Sequence, residues 1–234
     1  MQIIPPKEIS IHEPNILCER FHEISNRMKR FCYPYDKKDI PGNGIYVVFE
    51  EGEMAHGGAR IVRIGTHSGP NNLRARLAEH FYKENKDRSI FRKNIGRALL
   101  QRRKDPFLAQ WDIDLTPRKN RERYAGKIDF KKQAEIEAEV TRIIRSHFSF
   151  CVYPDDNKQH RLELEKRMIA TVNQCTDCRQ SAGWLGKHSP REKIRQSGLW
   201  VMRGLKHTPL QSKDLDRLER TLGKGEGIYK GEMR

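Results

Sequence analysis

The sequence predicts a mixed α/β fold of the α+β kind, a small sheet flanked by helices. Two observations carry this expectation. Three short runs, residues 45–50, 60–64 and 148–153, are rich in β-branched and aromatic residues and are bounded by turn residues. The stretches around them repeat apolar residues at three- and four-residue spacing, the period of helices packed on one side.

Taken in order, FHEISNRMKRFCY (21–33) sets Phe21, Ile24, Met28 and either Phe31 or Cys32 on one helical face. PGNG (41–44) signals a turn before the first strand. EEGEMAHGGAR (50–60) is polar and glycine-bearing, so it reads as a loop joining the first two strands in a hairpin. SGPNN (68–72) carries cap chemistry for LRARLAEHF, whose Leu73, Leu77 and Phe81 form an apolar stripe. Ser89 can cap a further helix bearing Ile90, Ile95, Ala98 and Leu99. Residues 102–132 differ: rich in Arg and Lys, with Pro106 and Pro117, they read as a basic insertion. KKQAEIEAEVTRII is helical by composition. After the third strand, Asp156 or Asn157 can cap HRLELEKRMIATVNQ. The tail from Trp184 holds GWLGKHSP, SGLW and the amphipathic DLDRLERTL. The expected organisation is an N-terminal helical extension over 1–41, a core over 42–175, and a C-terminal extension over 176–234 packed on that core.

The chain has 234 residues, of which 36% are hydrophobic, enough for a real core but not a large one. Lys and Arg number 46 against 31 Asp and Glu, a net charge of +15. Such an excess favours a polyanionic partner. No apolar run approaches the ~20 residues of a membrane-spanning helix, and MQIIPPKEIS does not read as a signal peptide. A cytoplasmic protein with no membrane partner is expected. Its five cysteines then read as reduced thiols. Cys175 and Cys178 form one CxxC pair without a second ligand pair at short spacing; only His188, Cys32 or Cys151 offered themselves as partners, and those through tertiary accident.

Two constellations break local rules. On a wheel of about 100° per residue, Leu162, Leu164, Met168, Ile169 and Val172 share an arc with Glu165 near its centre, while Glu163 faces away. A carboxylate in an apolar stripe is costly unless paired, protonated or metal-bound. It marks either a structural ion pair or a functional site, and the wheel does not choose between them. Arg76 and His80 are four residues apart on the preceding helix and share a face. Arg can grip a phosphate with a fork of donors, and His can move a proton near neutral pH.

Together these motifs resemble the GIY-YIG nuclease family. Gly44-Ile45-Tyr46 opens the first strand and Arg63-Ile64-Gly65 closes the second. NLRARLAEHF is similar to the family's arginine helix through Arg76, and RLELEKRMIA to its glutamate helix through Glu165. Gly227-Ile228-Tyr229 repeats the tripeptide with too little chain after it to build a site. The resemblance implies a three-stranded antiparallel sheet with the site on one face, and cleavage of a DNA phosphodiester with Mg2+ or Mn2+. It implies that Tyr46 orients or deprotonates water, His80 serves or supports the base, Arg76 neutralises charge on phosphorus, and Glu165 holds the metal. Arg63 stands where the family has its second tyrosine; either it binds phosphate there or His67 fills the space. Asn173 is the nearest counterpart of a polar residue that follows the glutamate helix.

The basic side chains outside these motifs read as phosphate contacts on DNA, expected to be double-stranded: Arg74, Arg88, Arg92, Lys93, Arg97, Arg102, Arg103, Lys104, Arg118, Lys119, Arg121 and Arg123, with Lys86 and Lys127 beside them. Trp111 and Tyr124 read first as packing residues of the insertion and second as base-stacking groups. Trp184, Leu185, Leu199 and Trp200 read as anchors of the tail, with His188 and Ser189 as further phosphate contacts. A restriction or defence endonuclease, dimeric if both strands of a palindrome are cut, is the expected function; a catalytically degenerate DNA- or RNA-binding protein is the alternative, and Arg63 is the feature that supports it.

Overall fold

A computed structural model describes residues 13–225. The Gly227 to Tyr229 repeat lies outside them. The expected α+β class holds, with helices packed on both faces of an antiparallel sheet. The sheet has four strands, ordered β1-β4-β2-β3, rather than three. They are β1 (Phe31–Cys32), β2 (Gly44–Ala55), β3 (Gly58–Gly65) and β4 (Phe148–Pro154). The helices are α1 (Glu13–Arg27), α2 (Leu73–Phe81), α3 (Ile90–Arg103), α4 (Leu108–Trp111), α5 (Arg118–Arg123), α6 (Phe130–His147), α7 (Lys158–Gln174), α8 (Glu192–Ser197) and α9 (Ser212–Gly225).

Alternation along β2 divides the core in two. Tyr46 and Val48 face one layer with Val62, Leu73, Leu77, Phe81, Phe91 and Ile95. Ile45, Val47 and Phe49 face the other with Phe21, Ile24, Met168, Ile169 and Val172. Both faces are covered, so the strand reads as a continuous apolar run. The hairpin is longer than its apolar runs. The polar stretch expected to be a loop continues the strands, and only His56 and Gly57 turn, at φ 49° and 72°. Positive φ at both central residues is the signature of a two-residue turn that matches strand twist.

Local expectations hold unevenly. Ser89 caps α3, its Oγ accepting from Arg92 N at 3.2 Å, and Asn157 caps α7 by accepting from His160 N at 2.9 Å. Asn72 stands at the start of α2 but makes no side-chain cap bond; the Leu73 N–H instead donates to the Gly42 carbonyl at 3.0 Å. The first helix begins earlier than its stripe suggested and ends at Arg27, which frees Phe31 and Cys32 to pair with Phe150 and Ser149.

The tail is docked by polar ties beneath its apolar anchors. Both indole N–H groups of Trp184 and Trp200 donate to Glu50 Oε2, at 2.8 and 3.0 Å. The Trp200 N–H donates to the Val62 carbonyl at 2.8 Å. Arg60, wholly buried, pairs with Glu53 at 2.6 Å and donates to the Gly198 carbonyl at 2.8 Å. The amphipathic end forms α9, whose Leu215 and Leu218 enter the core while Asp216 and Glu219 meet Arg20 of α1, each at 2.8 Å.

Several cations expected on the surface are interior. Arg92 has no exposed area; it donates to Glu137 Oε2 from two nitrogens, at 3.1 and 2.8 Å, and to the His80 carbonyl at 3.2 Å. Lys93 and Lys86 both hold Asp87 at 2.9 Å, and Arg97 pairs with Asp112. These are structural ion pairs: α3 packs against α6, which supplies Glu137 to Arg92, while Asp87 and Asp112 hold the other cations. Trp111 is buried on the bare backbone of Gly96, its indole donating to the Lys93 carbonyl at 2.9 Å; it packs the insertion. Arg92→Ala leaves Glu137 as an uncompensated buried charge, so chemical denaturation should show a loss of about 3–5 kcal/mol.

Candidate active site

Tyr46 is fixed by register. It pairs across the hairpin with Gly65, and its phenol lies over that residue: a Cβ on Gly65 would sit 2.3 Å from the Tyr46 hydroxyl. Only glycine leaves room for the ring. Gly44 is constrained in a similar way, since a Cβ there would come 2.5 Å from the Tyr153 carbonyl oxygen of β4. The glycines of both motifs are thus close-approach positions.

The phenol meets His80, Oη to Nε2 at 2.8 Å, and both residues are fully buried. His80 Nδ1 lies 2.7 Å from Ser89 Oγ, the same oxygen that caps α3. Arg63 pairs with Val48 in the register, two residues along from Tyr46 and on its face. Its Nη2 donates to the Tyr46 oxygen at 3.4 Å and its Nη1 to the Trp200 carbonyl at 2.6 Å. Among the described residues, buried Arg63 Nε has no hydrogen-bond partner. These distances fit a network in which Arg63 donates to the phenol oxygen, the phenol O–H donates to Nε2, and Nδ1–H donates to Ser89 Oγ.

Arg76 is within electrostatic reach of the same phenol, and its Nη1 donates to Glu79 at 3.0 Å and to the Arg88 carbonyl at 2.9 Å. Burial, then the nearby Arg76, Arg63 and Arg92 guanidiniums, hold His80 well below the usual imidazole range, so it stays neutral. Glu165 comes from α7, in the opposite layer, and reaches round the end of β3. Its Oε1 accepts from the Thr66 N–H at 3.1 Å. Burial pushes this carboxyl up from the usual range, against the pull of Arg63, the Thr66 N–H and Arg76. Tyr46, Arg63 and His80 are thus joined by hydrogen bonds, and Arg76 and Glu165 lie within electrostatic reach of them.

A hard divalent cation fits the remaining donor. Glu165 is a half-buried carboxylate with no hydrogen bond to its second oxygen from the described residues, and Mg2+ is commonly held by one or two carboxylates, the rest of its shell being water and substrate phosphate.

Other expected residues sit elsewhere. Asn173 donates to the Leu205 carbonyl at 2.9 Å and ties the tail to α7. His67 lies 3.3 Å from the Gly44 N–H through Nε2 and 2.7 Å from the Gly69 carbonyl through Nδ1; it clasps loop backbone. Exposed cations remain at Arg74, Arg88, Arg102, Arg103, Lys104, Arg118, Lys119, Arg121 and Arg123, although Arg103 pairs with Glu139 and Arg118 with Glu122. Ser89 joins the site as the partner of His80. Its sequence signal, a helix cap, gave no hint of that second bond.

A family profile for the GIY-YIG domain matches residues 15–226. Comparison with curated proteins and with solved structures found no match. Among the described residues, no helix is long and apolar enough to cross a membrane.

Gly65→Ala should displace the Tyr46 ring, seen as changed tyrosine fluorescence and a lower melting temperature, whereas Gly183→Ala, in an open turn with no neighbour within 4 Å, should cost less. The neutral, buried His80 has a second consequence. The unfolded chain binds its proton below about pH 6.5 and the folded chain does not, so stability is lost on acidification through that range. His67, held down by burial, acts in the same direction. His80→Gln should flatten the fall in denaturation midpoint between about pH 7 and pH 5.

Proposed function

The chain belongs to the GIY-YIG domain family, and from that premise we propose that it is a metal-dependent endonuclease hydrolysing DNA phosphodiesters. The observation that carries this reading is the Tyr46–His80 hydrogen bond of 2.8 Å with Arg63, Arg76 and Glu165 around it.

In the proposed reaction a water oxygen bonds to phosphorus and the bond from phosphorus to the 3′ oxygen breaks. Tyr46 orients that water and takes its proton as its own passes to Nε2 of neutral His80. Ser89 holds the imidazole through Nδ1. Arg76 faces the charge that develops on the phosphoryl oxygens, and Arg63 contributes its unpartnered Nε to the same charge. Both act in a dry setting where each contact is stronger than in water. Glu165 would hold the divalent cation, which when bound stabilises the leaving oxygen as a Lewis acid.

The proposed substrate is duplex DNA, approached through the exposed basic side chains. A restriction or defence role fits a core of this size with a basic insertion. Cutting both strands with one such site per chain calls for two copies. The second reading, a degenerate nucleic-acid-binding protein, is favoured by Arg63 in the second tyrosine's position.

Supercoiled plasmid incubated with Mg2+ or Mn2+ separates the two. The parent chain should nick it, and Arg76→Ala should slow nicking by about 10²–10³-fold, the usual cost of one charge-stabilising donor. Glu165→Gln should abolish nicking without lowering the melting temperature, because it removes a carboxylate whose burial is unfavourable. Plasmid shifted in a gel by all three chains and nicked by none would establish the degenerate reading.

A further inference from the structure

A second chemical cluster lies in the other layer of the sheet, at the end of α7 beyond Glu165. Three segments far apart in sequence build it. Cys18 and His22 are four residues apart on α1 and share a face. His56 occupies the hairpin turn. Cys175 and Cys178 follow directly on α7. Ligand atoms of Cys18, His22, His56 and Cys178 all lie within 4.8 Å of one another.

The separations suit a tetrahedral metal. Among the proposed ligands, Cys175 Sγ is 3.4 Å from His56 Nε2, and ligand atoms of Cys18, His56 and Cys178 lie within 4.8 Å of one another; the Cys178 and Cys18 sulfurs also each come 3.5 Å from a nitrogen of the neighbouring His22. Metal–sulfur bonds of about 2.3 Å and metal–nitrogen bonds of about 2.0 Å set at tetrahedral angles make edges of about 3.5 Å. None of these cysteines is in a disulfide, and Cys18, Cys175 and Cys178 are all buried.

His56 is informative for another reason. Its φ of 49° is a conformation where glycine or asparagine is usual. A histidine there carries a conformational cost, and its ring is directed at the thiols.

We propose that Cys18, Cys175, Cys178 and His56 bind one structural zinc ion or a metal of the same soft, tetrahedral class. His22 is the fifth candidate, but both its nitrogens have backbone partners, the Cys18 carbonyl at 2.9 Å and the Ile61 N–H at 3.1 Å. That places it beside the ligands rather than among them. Bound metal would clip α1, the hairpin tip and the end of α7 together. The site is distinct from the proposed catalytic cation, which has a carboxylate oxygen as its protein ligand.

Full-length chain purified without chelator is the test material, assayed by elemental analysis. About one zinc per chain is expected, and Cys178→Ser and Cys175→Ser should each lose it while His22→Asn retains it. A chelator should lower the melting temperature of the parent chain, and cobalt in place of zinc should give the strong visible absorption of tetrahedral thiolate coordination. If the serine variants fail to fold, the cobalt spectrum of the parent still decides. Metal-free parent chain with no cobalt spectrum, or a mass showing a disulfide between these cysteines, overturns the site. Loss of metal in His22→Asn with retention in Cys175→Ser overturns the ligand set.

Discussion

The contact between the Tyr46 phenol and the bare Cα of Gly65 sets the geometry on which the candidate site depends. The two residues are cross-strand partners, so their approach fixes hairpin register as well as the ring. With register fixed, Arg63 falls on the Tyr46 side of the sheet, and the phenol reaches across to α2, where His80 receives it. A slip of one residue would turn Tyr46 and Arg63 into the opposite layer, because side chains alternate across a strand. The glycine and tyrosine therefore specify each other, and both motif glycines follow from close backbone approach.

This layer is unusual in what it buries. Three guanidiniums, of the buried Arg63 and Arg92 and the partly exposed Arg76, act on one imidazole, yet they do unlike work. Arg92 is satisfied by Glu137, Thr141 and the His80 carbonyl and holds the back of the histidine. Arg63 is anchored by the Trp200 carbonyl but keeps one donor unpaired. An orphan donor in a dry site is costly, and a phosphate oxygen would remove that cost. The tail belongs to this arrangement, since it supplies the carbonyl that aims Arg63.

Legibility from the sequence followed how local each signal was. The strand interiors at 45–50 and 60–64 are β-branched and could be read directly; the polar residues 51–55 extend the strand because the hairpin ladder, not their propensity, places them. Cys32 and Phe31 fitted a helical stripe as well as a strand, and pairing with β4 decided the matter. Glu165, the Arg76–His80 pair and the cap at Ser89 were visible because each depends on spacing within one helix. Arg92 was misread as surface charge because Glu137, the residue that buries it, is 45 positions away. The grouping of Cys18 with His56 and Cys178 was equally hidden, since no spacing rule connects a helix, a hairpin tip and the residues after another helix.

α7 links the two clusters physically. Its Leu164, Met168, Ile169 and Val172 pack it on the sheet face opposite Tyr46, so its acid reaches the phenol's surroundings only past the end of β3, at the Thr66 amide. Side chains one or two turns away on the same helix are held by the tail, Thr171 accepting from the Leu210 N–H at 2.8 Å and Asn173 donating to Leu205. A helix is stiff along its axis, so a shift at its far end moves Glu165 relative to Tyr46, and about 1 Å of misplacement matters greatly in a catalytic site. The thiol and imidazole groups at Cys175 and Cys178 stand where such a shift would begin. The packing that positions the acid thus includes the layer on the side of the sheet opposite Tyr46, built from the N-terminal helix and the tail as well as the hairpin.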